Sequence, residues 1–134
     1  MTMRRLCMSL WLFTLLPACG QQTSAQRDRA LEAARARADH AAHCLNLTAA
    51  IASLPAGPVR DRAVERDLDR ITPDLASRWV PAWKHAAEEA ELSAQDAART
   101  LSRNGAAIAD AAAVDRFTDE AIECGSEVDG LLHE

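Results

Sequence analysis

Hydrophobic residues recur at spacings of three and four along most of the chain after residue 26, which is the period of a helix packed along one face. The pattern predicts four helices, over about residues 27–54, 59–80, 81–103 and 106–132. No run alternates between hydrophobic and polar residues as a half-buried strand does. The predicted fold is therefore all-α, most simply a four-helix bundle with up-and-down connections.

Each predicted helix has its own inward-facing stripe. The stripes are Leu31, Ala34, Ala38, Ala41 and Leu45, shifting to Cys44, Leu47, Ile51 and Leu54, in the first helix; Val64, Leu68 and Ile71 in the second; Trp83, Ala87, Ala90, Ala94, Ala97 and Leu101 in the third; and Val114, Phe117, Ala121, Cys124, Val128 and Leu131 in the last. We expect these positions to form one core.

Proline and glycine set the predicted helix boundaries. Pro55-Ala56-Gly57-Pro58 ends the first helix, because neither proline can donate a main-chain hydrogen bond. Thr72-Pro73-Asp74 has the pattern of a new helix start and predicts a kink near residue 73. Pro81 is predicted to open the third helix, and Asn104-Gly105 to close it.

The first 20 residues have the pattern of an export signal. Arg4 and Arg5 precede a short apolar run that ends at Leu16 and is too short to span a bilayer. The following Leu16-Pro17-Ala18-Cys19 resembles the lipobox of bacterial lipoproteins. That resemblance implies cleavage before Cys19 and attachment of lipid to it.

The domain organisation follows from that cleavage. Residues 1–18 are predicted to be the signal peptide, 19–26 a lipidated tether, and 27–134 a single helical domain. Gly20 stands where an aspartate would resemble an inner-membrane retention signal, so we expect the outer membrane, with the domain facing the periplasm.

The mature chain is acidic. All 20 acidic residues follow Cys19 whereas Arg4 and Arg5 precede it, so the formal charge changes from −5 to −7 on cleavage. Proteins that bind nucleic acid or anionic headgroups need lysine and arginine to neutralise phosphates. The charge therefore argues against nucleic acid as a partner, and the expected membrane attachment is through lipid on Cys19.

Cys44 and Cys124 remain after the lipidated residue, and both lie on core stripes. In an oxidising compartment we expect them to form a disulfide, which on the chain-entropy model stabilises the fold by roughly 4 kcal/mol. If the first and last helices were antiparallel with level ends, the two cysteines would differ in height by roughly 12 Å. Either the ends are staggered or these two helices run parallel.

Two aromatic residues give the best sequence lead to a binding site. Trp79 and Trp83 lie four apart beside Arg78 and Lys84, and tryptophan and arginine dominate interface hot spots. The alternative is that both tryptophans pack at one end of the core. A charged run over 60–70 is likewise either a solvated helix face or a docking surface.

Candidate chemistry is otherwise sparse. His40 and His43 are weak candidates for a metal site, because a zinc site needs three or four ligands; partly exposed helix positions are the alternative. The chain has no glycine-rich phosphate loop, nucleophile elbow, His-Glu-x-x-His or haem attachment motif. We therefore expect no enzyme activity and no cofactor.

The combined expectation is a lipid-anchored periplasmic domain that binds another protein. The first hypothesis is an immunity or inhibitor protein that neutralises an envelope-directed toxin or hydrolase. Two alternatives remain: an accessory or structural lipoprotein of a secretion, envelope-assembly or phage-lysis apparatus, and a metal-binding periplasmic protein.

Overall fold

The computed structural model describes residues 22–131, which form five α-helices and no strand. The helices are α1 (Ser24–Ala52), α2 (Pro58–Glu65), α3 (Leu68–Glu89), α4 (Ala94–Arg103) and α5 (Ala111–Leu131). The all-α prediction is confirmed, although the helices number five rather than four. The predicted signal peptide, the predicted lipidation site at Cys19 and the predicted last residue of the final helix lie outside the described residues.

Within residues 22–131, no helix combines the length and the apolar character needed to cross a membrane.

The chain divides into two compact units, Met1–Ala30 and Leu31–Glu134. In the described part of the first unit, a capping box starts α1. The Gln26 main-chain N–H donates to Thr23 Oγ1 at 3.3 Å, and the Thr23 N–H donates to Gln26 Oε1 at 3.1 Å. This pair satisfies the main-chain donors of Thr23 and Gln26, so the helix begins at Ser24, three residues before the predicted start.

The boundaries between the central helices differ from those predicted. α3 continues through Pro73, near which a kink was predicted, and through Pro81, where a new helix was predicted to begin. Each proline removes a single main-chain donor, whereas a positive φ turns the backbone out of the helical path. The breaks lie instead at Asp67 (φ 58°), between α2 and α3, and at Glu91 (φ 52°), between α3 and α4.

The core of the second unit lies between α1, α3 and α5. Four alanines of α1 are at most 4% exposed, so neighbouring helices approach its backbone closely. The buried hydrophobic residues form two clusters. One surrounds Cys44 and Cys124, and the other lies around the C-terminal end of α1. The buried members are Ala34, Ala38, Ala41, Cys44, Leu75, Trp79, Ala86, Ala90, Cys124 and Val128 in the first, and Leu47, Ile51, Leu54, Ala63, Leu68, Val114 and Ala121 in the second.

α1 and α5 run antiparallel. His40 contacts Glu127 whereas His43 contacts Glu120, so residue numbers rise along one helix as they fall along the other. The parallel alternative is therefore wrong, and the helix ends are staggered. α5 begins at Ala111 rather than near residue 106, and α1 ends at Ala52 rather than at residue 54. With these two ends level, the offset at the cysteines is about 7.5 Å.

The predicted stripes are correct in α1 and less so elsewhere. Val64 and Ile71, expected to point inward, are 47% and 40% exposed, while Ala63 and Thr72 are buried in their place. The predicted second helix is broken at Asp67, so a single helical period cannot extend across it. At the far end of α5, Leu131 was also expected in the core and is 53% exposed.

Candidate functional site

The predicted disulfide between Cys44 and Cys124 is present and joins α1 to α5, with the Cα atoms 5.6 Å apart. Trp79 of α3 packs beside it and is 1% exposed. Its indole N–H donates to the Cys124 carbonyl oxygen at 3.1 Å. Three helices are thus fixed together at one level of the domain.

Two histidine–glutamate pairs cross between α1 and α5. His43 Nε2 lies 3.0 Å from Glu120 Oε2, and His40 Nε2 is in close contact with Glu127 Oε2. The His40 ring also stands edge-on to Trp79, with centroids 6.3 Å apart. Each histidine therefore has its own glutamate.

A groove of about 600 Å³ opens beside the His40–Glu127 pair. Trp79, Ala41 and Leu131 contribute apolar surface to it, and the polar side chains of His40 and Glu127 border it. We call it the disulfide groove. Its mixture of apolar surface and charge suits a small organic group or a side chain of another molecule.

The four residues predicted to bind a partner do not share one exposed surface. Trp79 is buried, and Trp83 is half-buried against the same core cluster. Arg78 is in contact with Asp129 and lies 3.6 Å from Asp74. Lys84 is exposed. This placement matches the alternative in which the tryptophans pack at the core.

Part of the charged run over 60–70 is used inside the fold. Arg62 Nε donates to Asp115 Oδ1 at 2.9 Å, and Arg66 Nε donates to the same oxygen at 3.1 Å. The hydrogen bond from Arg62 is the main reason that the pKa of Asp115 lies below its usual range. The same contact raises the pKa of Arg62, which stays charged. These ion pairs hold α2 against α5.

The outward side of α5 carries an acidic surface that the sequence analysis missed. Asp119, Ile122 and Glu123 lie at helical spacing opposite the buried stripe, and Ile122 is 54% exposed. Neither Asp119 nor Glu123 makes an ion pair within residues 22–131. We call these three residues the α5 acidic face. The sequence already indicated this face, because its three residues lie on the polar side of the regular hydrophobic stripe of the last helix.

A second pocket, of about 400 Å³, lies between α1 and α4 and is lined largely by charged side chains. Two of its three arginines are paired with acids: Arg103 contacts Asp39, and Arg99 lies 3.1 Å from Asp96. Arg35 and Glu91 complete the charged lining, so arginines and acids are equal in number. An ionic ligand would have to displace these pairs, so the pocket offers it no excess charge.

Three potential metal ligands lie together beside the disulfide. One atom each of His40, Cys44 and Glu127 lie within 4.8 Å of one another. His43 does not belong to this group, so the predicted His40–His43 pairing is replaced by a group drawn from α1 and α5. The Cys44 sulfur is bonded to Cys124 and is no thiolate ligand in this form.

Comparison of the chain with protein-family models, with curated proteins and with solved structures found no match.

Proposed function

We propose that the chain is a lipid-anchored envelope protein whose helical domain binds and inhibits a secreted or envelope-directed toxin or hydrolase, as an immunity protein does. The lipid anchor rests on the lipobox-like residues Leu16-Pro17-Ala18-Cys19. The protein-binding role rests on the α5 acidic face, and the disulfide holds the helix that carries it.

The observation that carries the proposal is the exposure of Ile122 between two carboxylates without ion-pair partners in the described part of the chain. An exposed apolar side chain framed by charge resembles the centre and rim of a protein interface. The four other acids on α5 are already engaged: Asp115 and Asp129 by arginines, Glu120 and Glu127 by histidines. Asp119 and Glu123 thus remain available to a partner.

The chemistry of this face defines the partner. Two free carboxylates about one helical turn apart favour a surface bearing lysine or arginine, with an apolar residue placed to meet Ile122. The formal charge of −7 on the mature chain adds long-range attraction to the same basic partner. Association should therefore be fast at low salt and slower as salt rises.

The test is capture from the native host. The full chain with a C-terminal affinity tag is expressed in its envelope, recovered in mild detergent, and its partners are identified by mass spectrometry. The expected result is one basic secreted or envelope enzyme, at equal stoichiometry, whose activity falls when the purified chain is added.

A charge-reversal pair provides the control. Asp119→Arg with Glu123→Arg should abolish both capture and inhibition. Glu32→Arg with Glu88→Arg makes the same change in net charge at exposed positions on α1 and α3 and should leave both largely intact. Equal loss in the two double variants would show that total charge matters rather than this face.

Other outcomes contradict the proposal in separate ways. Recovery of secretion, assembly or lysis components without any inhibited enzyme would support the accessory role instead. An empty bait, with the helical circular dichroism signal intact, would contradict protein binding altogether.

A further inference from the structure

The disulfide is flanked by one potential metal ligand from each of the helices that it joins. His40 precedes Cys44 by four residues on α1, and Glu127 follows Cys124 by three on α5. Both spacings place the two side chains of a pair on the same face of a helix. Since the disulfide joins α1 to α5, the two pairs face each other.

The distances place three of these groups, His40, Cys44 and Glu127, around one point, with one atom of each within 4.8 Å of the others. Cys124 adjoins that point through its bond to Cys44. His40 Nε2 lies 3.7 Å from Cys44 Sγ and in close contact with Glu127 Oε2. Zinc bonds of about 2.0–2.3 Å in a tetrahedron separate neighbouring ligand atoms by about 3.3–3.8 Å. The His40–Glu127 contact must open slightly to admit an ion. Both side chains are about half exposed, at 52% and 47%, so each is free to rotate.

We propose that reduction of the Cys44–Cys124 disulfide creates a zinc site whose four ligands are His40, Cys44, Cys124 and Glu127. The intact disulfide supplies no thiolate and leaves only the His40–Glu127 pair, too few ligands for a stable site. The cysteine Cα atoms, 5.6 Å apart, allow side-chain rotation alone to place two thiolates on one ion.

The chemistry balances in two steps. In the envelope a protein dithiol supplies two electrons and two protons, becoming a disulfide while Cys44 and Cys124 become thiols. Zinc then binds both sulfurs as thiolates, and the two thiol protons pass to solvent. The ion replaces the sulfur–sulfur bond as the link between α1 and α5, so the domain keeps a cross-link in either redox state.

This site is independent of the α5 acidic face, because Asp119 and Glu123 lie opposite the buried stripe that contains Cys124. The two proposals therefore fail separately. A zinc site without a protein partner, or a partner without a zinc site, would each leave one of them standing.

The experiment uses the full chain in detergent with Cys7→Ser and Cys19→Ser, so that Cys44 and Cys124 are the only cysteines. A water-soluble phosphine reduces the disulfide. The phosphorus is oxidised by taking the oxygen atom of a water molecule, and the two hydrogens of that water become the protons of the two thiols. Cobalt(II) serves as the probe. The reduced chain is expected to bind one equivalent and show thiolate-to-cobalt charge-transfer absorption, which zinc then abolishes. The oxidised chain is expected to show no such absorption.

Matched variants test the ligand set. In the reduced chain, His40→Ala and Glu127→Gln should each weaken cobalt binding at least about tenfold. His43→Ala and Glu120→Gln remove the neighbouring pair on the same two helices and should leave binding unchanged. Native mass spectrometry should show the mass of one zinc gained and two protons lost.

Three results would overturn the proposal. The first is an absence of charge-transfer absorption in a reduced chain that keeps its helical circular dichroism. The second is equal weakening by the His40 and His43 variants. The third applies if reduction unfolds the chain: zinc must then restore the helical signal, and failure to do so rejects the site.

Discussion

The indole nitrogen of Trp79 on α3 lies 3.1 Å from the carbonyl oxygen of Cys124 on α5, to which it donates a hydrogen bond. This contact connects the largest fully buried side chain to the residue that anchors the disulfide. α3 is thereby held at the same level as the covalent link between α1 and α5. The disulfide groove takes its shape from this arrangement.

Replacement of Trp79 by phenylalanine should lower the free energy of unfolding by about 2 kcal/mol. The change removes a buried hydrogen-bond donor and leaves space where the indole packed. Urea denaturation followed by circular dichroism measures the loss. Trp83→Phe is the control, because the buried Trp83 N–H has no acceptor among the described residues. Trp83→Phe should lower the free energy of unfolding by less than half as much as Trp79→Phe. Equal losses would contradict the importance of the hydrogen bond.

The two glycines of α5 should respond differently to alanine. A Cβ added at Gly130 meets no atom within 4 Å, so Gly130→Ala should stabilise the domain by about 0.5–1 kcal/mol through helix propensity. At Gly125 the added Cβ would lie 3.3 Å from Leu75 Cδ1, so part or all of that gain should be lost. Melting temperatures of both variants measure the difference. A larger gain at Gly125 would show that α3 and α5 are less tightly packed than described.

The ion pairs of Asp115 should make stability fall in acid. Arg62 and Arg66 lower the pKa of this carboxyl group in the fold, so the unfolded chain takes up its proton at a higher pH than the folded chain does. The stabilisation is complete above the unfolded value of about 3.9 and is lost as pH falls through the lower folded value.

Asp115→Asn isolates this contribution. Melting temperatures measured from pH 7 down to pH 2 should differ between the wild type and the variant at neutral pH, and the difference should begin to shrink below about pH 4 and continue to shrink towards pH 2. Asp119→Asn, whose carboxylate has no ion-pair partner within residues 22–131, should follow the wild type throughout. A constant gap between wild type and Asp115→Asn across the whole range would contradict the electrostatic origin.

The start of α4 depends on one hydroxyl group. Ser93 Oγ accepts a hydrogen bond from the Asp96 main-chain N–H at 3.1 Å, in the position of an N-cap. Ser93→Ala should lower the free energy of unfolding by about 1 kcal/mol. Ser102→Ala, within α4, loses only a bond to the Ala98 carbonyl and should change it by less than about 0.5 kcal/mol. Hydrogen exchange along α4 should be faster in the first variant alone.

The sequence predicted those features that depend on a single helix. The stripe of α5 places Cys124 inward, and the shifted stripe of α1 does the same for Cys44, so the disulfide was predictable. The break at Asp67 was not, because a left-handed residue is far less distinctive in a sequence than the prolines at 73 and 81. Pro81 does not begin a new helix, because packing of α3 outweighs the loss of one main-chain donor there.

Non-covalent contacts that depend on the direction and stagger of two helices were beyond sequence reasoning. His40 meets Glu127 across 87 positions of sequence, and that contact requires both the antiparallel direction and the stagger of α1 and α5. The sequence left both open. The α5 acidic face, in contrast, is local, and helical spacing alone could have identified it.

The span of the disulfide has a consequence for damage to the backbone. Cys44 and Cys124 are 80 positions apart, so α2, α3 and α4 lie inside the loop that they close. A protease that cuts the turn after α1 or the segment before α5 leaves two fragments still joined through sulfur. Reassembly is then intramolecular, with an effective concentration that does not fall on dilution. A nicked domain of this kind would remain one molecule in a protease-rich environment.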